Sequence, residues 1–297
     1  MRPLVLLATA SSLPALDEDD RPLVPALAAR GFDARAAVWD DPAVEWAAAA
    51  LCVIRSTWDY TTRREEFVAW CERAGRVTQL CNPARGIAWN THKGYLVELA
   101  ERGVPVVPTR LLRRGDPPRL DPFGKADESR VVIKPAVSAG ARGALSVALS
   151  DPVERAAGEA HLGALLAEGD ALVQPFQAAA DGHGERSLLF FDGRFSHAMR
   201  KPSLLGCDAG QRADPRIVLA PASGAEIAAA EAVLGATHAL LGLSEPLLYA
   251  RVDLVPDASG APVLMELEMT EPRLFLADAE GSYVRLAEAI GRRVRRS

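Results

Sequence analysis

Two runs towards the C-terminal end of the chain alternate apolar and polar positions with period two. In Tyr249-Ala-Arg-Val-Asp-Leu-Val255, Arg251 and Asp253 share a face with Tyr249, while Ala250, Val252 and Leu254 take the other. In Val263-Leu-Met-Glu-Leu-Glu-Met269, Glu266 and Glu268 share one face, and Met265, Leu267 and Met269 the other. The breaker-rich Pro256-Asp-Ala-Ser-Gly260 lies between them, so the pattern predicts an antiparallel hairpin. At the opposite end of the chain, the apolar run over 4–8 predicts a buried strand. A helix is expected from Pro22, which suits a first turn, to about Arg30, with Gly31 as its stop. Further strands are expected over 33–39 and 50–55. Strand, helix, strand in this order predicts a parallel α/β unit.

The middle of the chain is more mixed. A helix is expected over 65–73 and a short strand ending at Cys81-Asn82-Pro83. A helix over 90–102 places Tyr95, Leu96, Leu99 and Ala100 at helical spacing, with Gly103 as its stop. A stretch rich in Pro, Gly and charge over 113–125 reads as a linker. Strands over 130–135 and 144–149 flank the glycine-rich Ser138-Ala139-Gly140-Ala141-Arg142-Gly143. A helix over 153–167 and a strand over 171–176 follow. The runs 184–191 and 194–201 form a second hairpin on Asp192-Gly193. Helices over 226–241 and 281–294 complete the pattern, and the basic tail over 292–296 reads as a solvated helix end. The fold class predicted is α/β grading into α+β.

Composition narrows the function. The chain has 297 residues, 49% of them hydrophobic, which is ample for a core and for about two domains. Net charge is -5, which advertises neither nucleic acid nor an anionic membrane. No apolar stretch is long enough for a membrane helix, and the first ten residues read as a buried strand better than as a signal peptide. Cys52, Cys71, Cys81 and Cys207 lack metal-ligand spacing and read as thiols of a reducing cytoplasm.

Candidate chemistry starts from the hairpin. Antiparallel pairing sets Asp253 opposite or diagonal to Glu266 and Glu268. Three carboxylates gathered this way repel unless something positive sits among them, and Arg251 supplies one charge. Oxygen ligands at this density suit Mg2+. A solvent-facing hairpin is the plainer reading, yet 263–269 is an oddly apolar run for a surface sheet.

Arg55, Ser56, Thr57, Trp58, Asp59 and Tyr60 directly follow a buried strand, where parallel sheets carry ligand-binding loops. A substrate pocket and a capped helix entry fit this loop equally. Lys93, in the first turn of its expected helix, is badly placed against the helix dipole, which favours a role in holding phosphate over a solvated lysine. Lys134 ends a strand beside the glycine loop, whose free N–H groups could close over a polyphosphate. The P-loop pattern is absent, and a plain turn would serve were Lys134 elsewhere. Arg200 and Lys201 are candidate catalytic cations that point to opposite faces, so one of them can look into a given cleft. His197 has no second histidine at ligand spacing and reads as a packed, hydrogen-bonded residue. The segment 204–218, with Arg212 and Arg216, is ambiguous. No Ser/His/Asp or Cys/His triad is evident.

Taken in order, these pieces resemble the ATP-grasp superfamily over nearly the whole chain: Val132-Ile-Lys-Pro135, the glycine loop, Val173-Gln-Pro-Phe176, Arg251-x-Asp253 and Glu266-x-Glu268. More narrowly, 55–60, Asn82-Pro83, Trp89-Asn-Thr-His-Lys93, Val107-Pro-Thr109 and Glu266-Leu-Glu-Met-Thr-Glu-Pro-Arg-Leu-Phe275 resemble the branch that holds the cycloserine-forming ligase of actinomycetes. The resemblance implies a substrate-binding α/β unit over 1–110 and two α+β units, 111–174 and 175–297, that clasp ATP. It implies that Lys93 and Lys134 hold phosphates and that Ser138, Ala139, Gly140 and Gly143 belong to a lid. Gln174, Pro175 and Phe176 would meet adenine through backbone groups. Asp253, Glu266 and Glu268 would hold Mg2+, and Arg251 would stabilise the transferred phosphoryl group. Relatives outside the branch often carry Asn where Glu268 stands.

The implied chemistry is phosphoryl transfer to a carboxylate, then attack by nitrogen. The substrate would be a small amino-acid-like molecule, with closure of O-ureido-D-serine to D-cycloserine as the leading reading. In that reading Arg55 holds the carboxylate, and Asp59 or the acidic patch over 17–20 meets an ammonium group. An intermolecular amino-acid ligase and a non-catalytic nucleotide-binding regulator are the alternatives. A homodimer is also entertained.

Overall fold

The computed structural model describes residues 2–120, 130–177, 184–201 and 217–294. Strands β1 (Leu4–Thr9), β2 (Asp33–Val38), β3 (Leu51–Ile54) and β4 (Leu80–Cys81) form a parallel sheet in the order β2-β1-β3-β4. Both faces of the inner strands are covered, as a parallel sheet requires. Val5 and Leu7 pack with Leu23 and Leu27 of α1 (Leu23–Ala28). Ala8, Cys52 and Ile54 pack with Phe67, Trp70 and Cys71 of α2 (Arg64–Val77). Cys52, Cys71 and Cys81 are buried and unpaired, while Cys207 lies outside the described residues.

The helix expected over 90–102 starts later, as α4 (Tyr95–Glu101), and a helix that was not expected, α3 (Ala84–Asn90), precedes it. Polar side chains between them compete for the backbone. Thr91 Oγ1 donates to the Ala88 carbonyl at 3.2 Å, and His92 Nδ1 accepts from Gly94 N–H at 3.1 Å. Lys93 therefore sits in a turn, not in a first helical turn, and its N–H donates to the Ala136 carbonyl at 2.7 Å.

A second sheet is antiparallel: β5 (Arg110–Leu112), β6 (Arg130–Pro135), β7 (Leu145–Ala148) and β8 (Ala171–Pro175), in the order β5-β8-β6-β7. Leu162 and Leu166 of α5 (Pro152–Glu168) close one face over Val131, Ile133, Val147 and Val173. Asp151 caps this helix by accepting from the N–H of Val153 at 2.8 Å.

The third sheet joins β9 (Glu185–Phe191), β10 (Arg194–Lys201), β11 (Val218–Leu219), β12 (Tyr249–Pro256) and β13 (Pro262–Glu268), all antiparallel, in the order β11-β10-β9-β12-β13. Alternation divides its side chains. Leu188, Phe190, Ala198, Ala250 and Val252 share a core with Ala230 and Val233 of α6 (Gly224–Leu241). Leu189, Phe191, Met199 and Tyr249 instead join the core of the first sheet, with Leu286 and Ile290 of α7 (Ser282–Val294). The helix end expected to be solvated is partly buried. Arg293 is 4% exposed and pairs with Asp192 at 2.7 Å and with Glu245.

Strand β13 lies at the sheet edge, where Leu264 bonds the backbone of Pro105 and Val107 and three side chains hold the strand's C-terminal end. Asn90 Nδ2 donates to the Leu267 carbonyl and its Oδ1 accepts from Met269 N–H, at 2.7 and 3.0 Å. The Tyr95 hydroxyl accepts from Leu267 N–H at 3.0 Å. Asn82 Nδ2 donates to the carbonyls of Tyr249 and Met269, at 2.9 and 2.7 Å. Residues on either side of Lys93 in sequence thus fix the strand that carries Glu266 and Glu268.

Candidate active site

The hairpin register places the carboxylates. Arg251 pairs with Glu268 and Asp253 with Glu266, and a bulge follows Asp253. One oxygen each from Asp253, Glu266 and Glu268 lies within 4.8 Å of the others, a spread that a single hard cation can span. The charge argument from sequence is corrected here, because three cations already neutralise the group. Lys93 Nζ lies 2.9 Å from Glu266, Lys201 Nζ 2.9 Å from Asp253, and Arg251 contacts both Asp253 (3.0 Å) and Glu268. What favours a metal is the convergence of oxygens, not a deficit of positive charge.

Burial would raise the Asp253 pKa, but Arg251 and Lys201 prevail and hold it low. Glu266 is likewise held low, its burial outweighed by Lys93 and Lys134. Burial raises Glu268, with Arg251 opposing it and Glu266 adding to it.

Glu266, Glu268, Lys93, Lys201 and Arg251 line one cleft of about 470 Å³ that reaches from β13 to the glycine loop, and Asp253 is buried behind them. Lys93 bridges its two walls, donating to the Ser138 carbonyl at 2.6 Å as well as reaching Glu266. Lys134 also lines the cleft, and among the described residues it has no hydrogen bond or ion pair. Burial lowers its pKa, with Glu266 opposing. A half-buried ammonium with no partner among the described residues is poised for an anionic ligand.

Ser138, Ala139 and Gly140 line the cleft together with Ala141, Arg142 and Ala144. Gly143 does not. It has φ +74° and sits where a Cβ would come within 3.0 Å of Pro135, so it shapes the loop from behind.

Gln174, Pro175 and Phe176 line the cleft on the same sheet. Phe176 N–H already donates to the Arg130 carbonyl at 2.9 Å, and Gln174 Nε2 to Thr109 Oγ1 at 2.8 Å. The Phe176 N–H is therefore not free for a ligand.

The loop over 55–60 departs most from expectation. Arg55 is 1% exposed and faces the protein interior. Its Nε donates to Asp20 at 2.9 Å, its Nη2 to the Pro272 carbonyl at 2.8 Å, and its guanidinium stacks on Tyr249. Ser56 donates to the other oxygen of Asp20 at 2.9 Å, so Asp20 of the acidic patch is engaged by this loop. Thr57 is fully buried, and Asp59 accepts from Trp39 Nε1 at 3.0 Å. Tyr60 is buried and its hydroxyl hydrogen-bonds Glu271. Of the six residues only Trp58 lines the cleft. An arginine after a parallel strand can serve a ligand or a domain contact, and its buried partner Asp20 decides for the contact.

Arg200 is a second correction. It is exposed and outside the cleft, while Lys201 lines it, as strand alternation requires. His197 is packed as expected, with Nε2 3.0 Å from the Leu274 carbonyl. The segment 204–218 falls outside the described residues up to position 216.

The sequence reading missed Glu185, Glu271 and Arg273, all of which line the cleft. Glu185 pairs with Lys201 at 2.5 Å, and burial together with Asp253 pushes its pKa up to about 7. Burial, then Glu268, pushes Glu271 up to about 8. Glu185 opens a strand whose alternation was legible. Glu271 and Arg273 stand in an irregular stretch with no period to reveal a face.

Comparison with known proteins identifies the family. Residues 5–82 match the family model for the N-terminal domain of D-cycloserine synthetase DcsG. The cycloserine biosynthesis protein DcsG of Streptomyces lavendulae is 36% identical over 98% of this chain and 99% of its own. The crystal structure of D-cycloserine synthetase DcsG superposes with a TM-score of 0.87 at 32% identity, covering 98% of this chain and 99% of that one. A D-alanine–D-alanine ligase from Bacillus anthracis complexed with ATP shares the fold at TM-score 0.66 and 14% identity, over 99% and 97% of the two chains. The ATP-grasp ligase PsnB complexed with minimal precursor, Mg and ADP does so at 0.62 and 18%, over 98% of each. The protein is an ATP-dependent ligase, and the chain belongs to the DcsG family of ATP-grasp ligases.

Proposed function

We propose that the protein activates a substrate carboxylate with ATP and closes O-ureido-D-serine to D-cycloserine within one molecule. The observation that carries this reading is that Glu266 and Glu268 line the same cleft as the glycine loop and Lys134, which has no partner among the described residues, while an oxygen of the buried Asp253 lies within 4.8 Å of theirs. The 36% identity to a cycloserine biosynthesis protein favours this substrate over others.

The three carboxylates fit Mg2+, which would shield phosphate oxygens and spread developing charge. Lys134 and Lys93 reach the phosphates from two walls, and Lys93 exchanges its contact with Glu266 for one with ligand. Arg251 and Lys201 stabilise charge on the phosphoryl group during transfer. Residues 138–143 cover the reacting atoms and keep water from the acyl phosphate.

The nitrogen bonded to oxygen in the substrate then attacks the acyl carbon and expels phosphate. The carbamoyl group stays on that nitrogen, and its removal by one water leaves cycloserine, carbon dioxide and ammonia. Tethering the nucleophile contributes roughly 7–11 kcal/mol through orientation, so a second substrate pocket is unnecessary. We assign one sheet to each of the units 1–110, 111–174 and 175–297, with boundaries one residue inside β5 and β8 of the second sheet. The site of action is the cytoplasm.

Steady-state ADP release with O-ureido-D-serine, with and without a panel of amino acids, tests the proposal. One substrate should suffice and added amines should not raise the rate. An absolute requirement for a second amine would replace this reading with an intermolecular amino-acid ligase.

A further inference from the structure

With Arg55 and Asp20 turned inward, the cleft needs other groups to recognise an amino acid. We infer that Glu271 and Arg273 form the recognition site for an amino-acid zwitterion, Glu271 taking the α-ammonium and Arg273 the carboxylate. This rests on the carboxylate-activating ligase reading above.

Glu271 is 7% exposed, yet its side chain lines the cleft. One donor, the Tyr60 hydroxyl, reaches it, and its charged neighbours include Glu268 and Glu266 as well as Lys93. A carboxylate can accept several hydrogen bonds, so a buried one with a single side-chain donor is short of partners. An ammonium group would supply both donors and charge. The backbone at this point is held from the first sheet's loop, because Trp58 Nε1 donates to the Glu271 carbonyl at 3.1 Å. Trp58 itself lines the cleft and closes that end with an apolar ring.

Arg273 lines the same cleft, is exposed, and has no hydrogen bond or ion pair from its guanidinium among the described residues. It is nevertheless placed. Its guanidinium carbon lies 5.4 Å from the centre of the Phe275 ring, and that of Arg251 lies 5.9 Å from the same ring. Stacking on Phe275 thus keeps Arg273 beside the arginine assigned to the transferred phosphoryl group. Phe275 is 2% exposed and has φ +50°, a left-handed conformation rare for a bulky residue. Such a conformation persists where the surroundings over-determine it, and it is found most often at ligand sites. Arg251 Nη1 also donates to the Arg273 carbonyl at 3.2 Å. The free cation and the under-satisfied carboxyl group therefore lie in one short stretch, 271–275, which also contacts Arg251 through the Arg273 carbonyl and the Phe275 ring. Lys134 and Arg142, the other cleft cations without a side-chain partner among the described residues, belong to the glycine-loop wall.

The test is steady-state kinetics of Arg273→Ala and Glu271→Gln with O-ureido-D-serine, beside its des-amino analogue and its carboxamide as competitive inhibitors. Arg273→Ala should raise KM for the amino acid at least tenfold and leave KM for ATP within threefold. The carboxamide should inhibit wild type and Arg273→Ala equally. Glu271→Gln should lose most of the wild-type preference for O-ureido-D-serine over the des-amino analogue. Arg273→Lys should recover part of the loss.

If wild type releases no ADP with O-ureido-D-serine, the cyclisation reading falls. The same variants are then compared with D-alanine, D-serine and L-serine, singly and in pairs. Unchanged KM in both variants on whichever substrate is active overturns the inference alone. Failure of every zwitterion to release ADP overturns both.

Discussion

At the scale of single residues, charge and burial decide the roles. Glu266 faces Lys93 across the cleft and shares the oxygen cluster with Asp253 and Glu268. Glu266→Gln keeps the shape and removes the charge, so ATP turnover should fall by about a hundredfold or more while the protein stays folded. Near-normal turnover with an unchanged circular dichroism spectrum would remove Glu266 from the metal set. Arg55 illustrates the converse. Its residue type and position after β3 suggested a ligand contact, and only its partner, 35 positions earlier in sequence, shows otherwise. Arg55→Ala would leave Asp20 buried and unpaired, a change that typically costs about 3–5 kcal/mol. Denaturant unfolding should show that loss, and KM in the surviving folded protein should barely move. A raised KM with intact stability would restore Arg55 to the substrate.

At the scale of elements, period and punctuation were legible and partners were not. The alternation over 249–255 and 263–269 gave the hairpin, its faces and the meeting of the three carboxylates. Gly31 and the Asp192-Gly193 turn gave their boundaries, because only a few residue types accept those backbone angles. The break between α3 and α4 was hidden, since Tyr95, Leu96 and Leu99 keep helical spacing on one side of it. Asn82 and Asn90 read as punctuation, whereas they hold the edge strand β13, a long-range pairing that no local pattern encodes.

The glycine loop yields a prediction at this scale. Residues 138–143 contribute little apolar burial, so hydrogen exchange there should be fast in the free protein. It should slow on adding ATP and Mg2+ as the loop closes over ligand. Equal protection with and without nucleotide would argue against a covering role.

At the scale of the whole molecule, three sheets converge so that one cleft collects groups from each. Trp58 comes from the loop after the parallel sheet, Lys134 from the second sheet, and Arg251 with Glu266 from the third. Tyr249 and Asn82 lock the first sheet to the third: the Tyr249 hydroxyl donates to the carbonyls of Ile54 and Thr270, at 2.7 and 2.8 Å. On the proposed function, this arrangement would set a carboxylate-bearing substrate between β13 and the lysines Lys93 and Lys134.

The central claim is that the γ-phosphoryl group passes to the substrate carboxylate. It is tested most directly by turnover of O-ureido-D-serine labelled with ¹⁸O in its carboxyl group, followed by mass analysis of the released phosphate. Acyl phosphate formation predicts one ¹⁸O in each inorganic phosphate, with ADP as the other product. Unlabelled phosphate, or label in AMP, would contradict the account.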